Sequence, residues 1–63
     1  SNNRSVKSIS IETAMTWDTA PFNLYIQLPD SRFLALFRTG NPIDKQRLQK
    51  YAAKGVTTLW SSE

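Results

Sequence analysis

The sequence predicts a small α+β domain: a three- to four-stranded, mainly antiparallel sheet with one helix packed on one face, in the order strand, hairpin, helix, strand. Three observations predict it. Residues 22–28 alternate, with Phe22, Leu24, Ile26 and Leu28 on one side and Asn23, Tyr25 and Gln27 on the other, which is the period of a half-buried strand. Residues 43–55 carry the start signal, the periodicity and the stop signal of one short helix. Residues 56–60, VTTLW, then supply the β-branched and aromatic composition of a last strand.

Taken in order, residues 1–5 are polar and read as a disordered end or a cloning remnant; residues 6–63 read as one domain, cut from a longer protein. Residues 6–13, VKSISIET, place Ile9 and Ile11 two apart between polar neighbours, which predicts a strand. Residues 14–21 have weak periodicity and read as a connection, with Trp17 covering one end of the core and Pro21 barring a helix. Pro29, Asp30 and Ser31 are turn chemistry.

The partner strand, residues 32–38, reads RFLALFR. Phe33, Ala35 and Phe37 fall on one face, Leu34 and Leu36 on the other, so its interior is apolar on both sides. Such a strand is expected to be covered on both sides. The helix covers one. The other needs the N-terminal segment, Trp17 and Trp60, or another chain.

Gly40, Asn41 and Pro42 break the strand. Asp44 stands where an N-cap belongs, with Ile43 and Leu48 at the spacing of a hydrophobic staple. Leu48, Tyr51 and Ala52 share one side of the helix, and Lys50 and Lys54 fall in its last turns, where cations suit the dipole. Gly55 is the expected left-handed stop, with Val56 folding back on Tyr51. The helix has about three turns and is marginal without something to pack on. The order of the strands is not legible from the sequence.

Composition narrows the function classes. A chain of 63 residues without cysteine has no disulfide, and without histidine it has no imidazole base or ligand. The net charge of +3 is mildly basic, below that of dedicated nucleic-acid arms. No apolar run approaches the roughly 18 residues of a membrane span, and no signal peptide is visible, so a cytoplasmic setting without a membrane is expected.

The chemistry-bearing residues have structural explanations. Asp44 is a cap, Asp30 a turn residue and Glu63 terminal, which leaves Glu12 and Asp18 with nothing to bring them together. Serines without histidine make no conventional triad. Gly40 and Gly55, the only glycines, are explained by chain reversal and make no phosphate loop. No catalytic, metal or cofactor residue is assigned. The basic residues Arg32, Arg38, Arg47, Lys50 and Lys54, with Tyr25, are a candidate nucleic-acid surface, against the plainer reading of a solvated helix face and charged strand ends. The aromatics are many for so short a chain, and an exposed group of them marks a protein contact. The candidate interaction surface is Tyr25, Phe33, Leu34, Leu36, Phe37, Trp17 and Trp60.

The run from Phe22 to Trp60 has the form aromatic-x-L-Y-I-x-L, a charged turn, an apolar strand, then G-x-x-I-D-x-x-R-L-x-K-Y-x-x-K-G-V-x-x-L-aromatic, and upstream Trp17 to Phe22 reads W-x-x-x-P-F. The pattern resembles a small accessory module near the N-termini of bacterial signalling proteins, of the kind that precedes HD-GYP phosphodiesterase or PilZ-type cyclic-di-GMP-related domains. The resemblance implies a non-catalytic regulatory or docking piece. The HD-GYP signature is absent, since the chain has no histidine; Arg32 and Arg38 lack the spacing of the PilZ ligand motif, and no D-x-S-x-x-G follows. No ligand residues are therefore carried over. The expectation is a protein-interaction module, binding another domain, a signalling partner or its own copy. The alternative is a small nucleic-acid-binding domain using the basic helix face.

Overall fold

A computed structural model describes residues 6–62; the expected polar end, residues 1–5, lies outside the described residues, as does Glu63. The chain runs β1 (Val6–Ser10), α1 (Ile11–Ala14), β2 (Leu24–Gln27), β3 (Phe33–Phe37), α2 (Lys45–Ala53), β4 (Thr58–Ser62). The four strands form one sheet in the order β1-β4-β2-β3, and every neighbouring pair is antiparallel. This is the expected α+β class. The last strand inserts between the first and second, so β1 and β3 are the edges.

β1 is shorter than expected. It stops at Ser10, and residues 11–14 turn into a single helical turn instead of continuing the strand. Ser10 explains the stop: its hydroxyl accepts from the Thr13 amide at 3.1 Å, the bond of an N-cap. Ile11 and Ala14, three apart on one side of that turn, are both buried. Ile9 and Ile11 therefore reach the same core from two different elements, and their spacing of two is not a strand repeat throughout.

The following loop is pinned to the segment before α2 by three backbone bonds. The Ala20 amide donates to the Asn41 carbonyl at 2.9 Å, the Gly40 amide to Ala20 at 2.7 Å, and the Ile43 amide to Asp18 at 2.9 Å. Gly40 makes the reversal with φ +87°, a conformation costly to residues with a Cβ.

α2 begins and ends as its residues dictate. Asp44 Oδ1 accepts from the Arg47 amide at 3.1 Å. Gly55 takes φ +98°, its amide donating to Ala52, while the Val56 amide donates to Tyr51, each at 3.0 Å. These two bonds are a Schellman stop. Leu48, wholly buried, is the centre of the helix's inner side, with Tyr51 and Val56 packed at its margin.

The core lies between this layer and one face of the sheet. Leu24 and Ile26 of β2 and Leu59 of β4 point into it, with Ser61 beside Leu24. Each fully buried leucine contributes about 1.5–3 kcal/mol of transfer free energy.

β3 departs from expectation. It is an edge strand, so its two apolar sides do not mean two covered faces. Its register against β2 shifts between Leu24 and Tyr25: Leu24 faces Phe37, yet Tyr25 faces Ala35, leaving Leu36 as an extra residue. A bulge of this kind lets two successive side chains turn to one side. Leu36 and Phe37 are accordingly both in the core, each 7% exposed. Phe33 and Leu34, at the other end of the strand, stay exposed.

Candidate functional site

The register of the sheet defines a second face that no helix of the described residues covers. Tyr25 of β2 is the partner of Trp60 on β4 and of Ala35 on β3, Gln27 is opposite Phe33, and Ser8 of β1 is opposite Trp60. Directly opposite residues of antiparallel strands share a side, and this side is the reverse of the one bearing Leu24 and Leu59. The shortest axis of the molecule is 15 Å. Layers pack about 10 Å apart, so this accommodates the sheet and one helical layer, without a third.

The open face carries an aromatic group. The Phe33 and Trp60 rings meet edge to face, with centroids 6.3 Å apart and planes at 77°. Tyr25 is next to Trp60 on the adjoining strand; both are half-buried, while Phe33 is 50% exposed. Val6, at the far edge of the same face, is 49% exposed.

Of the seven residues proposed from sequence as a contact surface, three stand together here: Tyr25, Phe33 and Trp60. Leu36 and Phe37 are core residues and present nothing to a partner while the sheet is intact; the bulge turned them inward. Leu34 is opposite Ile26, hence on the helix side, but at the sheet edge, where α2 does not cover it, and it remains 40% exposed. Trp17 packs edge-on against Phe22 at 5.8 Å and joins the margin of the core. Ala35, Gln27 and Val6 belong to the open face and were not proposed. The alternation of β2 pointed to Gln27; Ala35 is placed by the β2–β3 register and Val6 by the pairing of β1 with β4.

The basic residues do not form one surface. Arg32 is held by Asp30, Nε to Oδ2 at 2.7 Å, in an exposed pair. Arg47 donates to the Leu36 carbonyl at 3.3 Å and lies over the Phe37 ring at 5.8 Å. Lys54 lies over Tyr51 and also lines a groove with Gln27, Thr58 and Trp60 at the margin of the open face. Lys50 is exposed on α2. The Arg38 carbonyl accepts from the Asn41 amide at 3.0 Å, while its guanidinium makes no hydrogen bond or ion pair among the described residues and lines a groove of about 370 Å³ with Asn23 and Tyr25. Asn23 is fixed there, accepting from the Thr39 amide at 2.9 Å and its hydroxyl at 3.2 Å.

The carboxylates are dispersed. Among the described residues no three acidic side chains gather into a group able to hold a metal ion. No helix of the described residues is long and apolar enough to cross a membrane. Comparison with protein-family models, with curated proteins and with solved structures returns no match, so the site is read from its own chemistry.

Proposed function

We propose that this chain is a non-catalytic docking module that binds another protein domain through the open face of its sheet. The observation that carries the reading is the Tyr25–Trp60–Phe33 group, with Phe33 half exposed, on a face that no other described element covers. Aromatic side chains offer large contact area at low entropic cost and are enriched at interfaces.

The size of the face decides what kind of docking this is. Four strands of about five residues make a face of roughly 19 by 17 Å. That falls well below the ~800 Å² per partner of a stable complex. The fitting partner is one held nearby, such as a domain of the same polypeptide, or one that binds transiently. The pattern from Phe22 to Trp60 is what supports a regulatory setting in a bacterial signalling protein. The basic residues favour nucleic acid less, because they are dispersed: Arg32 is paired with Asp30, Lys50 is on α2, Lys54 borders the open face beside Gln27 and Trp60, and Arg38 and Arg47 line a groove that also holds Asp44.

The test is photo-crosslinking in the intact parent polypeptide, with a benzophenone side chain at position 33 and, as control, at position 50 on α2. A discrete protein–protein crosslink from position 33, absent from position 50 and lost with Trp60→Ala, is expected. Equal labelling from both positions overturns the reading. So does a short single-stranded oligonucleotide that shifts the Tyr25 and Trp60 signals at low salt.

A further inference from the structure

The outer edge of β3 is a second binding feature, distinct from the open face. It pairs with no other described strand. Its exposed part carries Phe33 and Leu34, two of the most exposed large apolar side chains of the described residues. At the Phe37 end, a groove of about 490 Å³ opens between the strand and the start of α2, lined by Ala35, Arg38, Pro42, Asp44 and Arg47 among others. Neither the Arg38 nor the Arg47 guanidinium pairs with a carboxylate among the described residues, and Asp44 Oδ1 accepts from the backbone amide of Arg47.

We propose that this edge receives an extended acidic segment of a partner protein, added as a fifth strand, with a carboxylate seated between Arg38 and Arg47. Strand addition draws its affinity from main-chain hydrogen bonds and its selectivity from flanking side chains. Arginine pairs with carboxylate through strong charge-assisted bonds. The charges also say what does not fit. A second copy of this chain, paired antiparallel about Ala35, sets the Arg32–Asp30 pair against the copy's Arg38 at both ends, so the copy offers that arginine no unpaired carboxylate. The edge therefore selects a partner of opposite sign over its own kind. This partner is consistent with the docking reading above but rests on the backbone edge of β3 and the Arg38–Arg47 groove, sharing Phe33 and Ala35 with the open face.

The probe is a synthetic peptide of about six residues alternating valine and glutamate, matched in length to β3, titrated into the labelled chain and followed by heteronuclear NMR. A second peptide replaces glutamate with lysine. Expected are shifts in the amides of residues 33–38 and the Arg38 and Arg47 Nε–H signals with the glutamate peptide only. Arg38→Gln, at an exposed position, weakens binding about tenfold, the loss of one charge-assisted hydrogen bond. Asp44→Asn keeps the cap, removes the competing charge and tightens binding. Equal response to both peptides, response to neither, or an Arg38→Gln chain that binds unchanged overturns the proposal. So does a homodimer paired through β3 in sedimentation. A strand added along β3 also reaches position 33, so the two readings are separated by Trp60→Ala, which abolishes the open-face crosslink and leaves binding of the glutamate peptide unchanged.

Discussion

Phe33 and Trp60 touch across an intervening strand. Phe33 belongs to β3 and Trp60 to β4, and β2 lies between them, yet their rings meet edge to face at 6.3 Å. The contact is made above Gln27 and Tyr25, on the face without a helix layer. It gives that face a raised apolar ridge in place of a flat surface.

This ridge predicts a measurable coupling. Edge-to-face pairs contribute about 0.5–1.5 kcal/mol beyond area burial. With Phe33 half exposed, a double-mutant cycle of Phe33→Ala and Trp60→Ala by urea denaturation is expected to give a coupling near the lower bound. Strict additivity of the two changes means the rings do not support each other in solution.

The two sides of β3 predict opposite costs. Leu34→Ala, at an exposed edge position, should change stability by less than about 1 kcal/mol, the scale of surface substitutions. Leu48→Ala removes a wholly buried side chain and should cost about 2–5 kcal/mol. A domain this small sits near the low end of the ~5–15 kcal/mol range of native stabilities. Circular dichroism is therefore expected to show Leu48→Ala losing much of its folded population at room temperature while Leu34→Ala keeps its cooperative transition.

The ends of α2 give a third test. A Cβ added at Gly55 meets nothing within 4 Å, so Gly55→Ala carries a conformational cost alone, at φ +98°. That cost is about 1–2 kcal/mol. Asp44→Ala removes the cap bond and should cost about 1 kcal/mol, whereas Asp44→Asn should cost little. Thermal unfolding of the three variants checks the order. A Gly55→Ala protein as stable as the parent sinks the assignment of that residue to the helix stop.

Local signals made the helix legible. Asp44, the Ile43–Leu48 spacing and Gly55 each act within a few residues, and each holds. The core set from Leu24 to Ile26 was legible for the same reason. Ser10 was a cap hidden inside a run that alternates, so a local bond ended a strand that periodicity extended. β3 is the deeper case. Its composition matches a central strand, but strand order and a bulge are decided by long-range pairing with β2 and β4, which no local spacing encodes. The bulge at Leu36 sent half of the proposed contact residues on β3 inward, and the insertion of β4 beside β2 brought Trp60 to Tyr25.

Arg47 guards the bulge. A sheet edge with free backbone groups invites pairing with other chains, and at Leu36 the guanidinium donates to the carbonyl at 3.3 Å and lies 5.8 Å from the centre of the Phe37 ring, which limits pairing there to a segment that also engages Arg47. Arg47→Met keeps the aliphatic stem and removes both contacts. The expected loss is about 1–2 kcal/mol, one modest hydrogen bond plus an exposed cation–π contact. With the edge opened, light scattering should also rise with protein concentration. Lys50→Met, at an exposed position of the same helix, removes the same charge and should cost under about 0.5 kcal/mol, with no added scattering. Comparing the two separates protection of the edge from the loss of one positive charge, because only the first depends on where the side chain reaches. Identical urea midpoints and identical scattering for the two variants would leave Arg47 as an ordinary surface residue and the carbonyl of Leu36 satisfied by water.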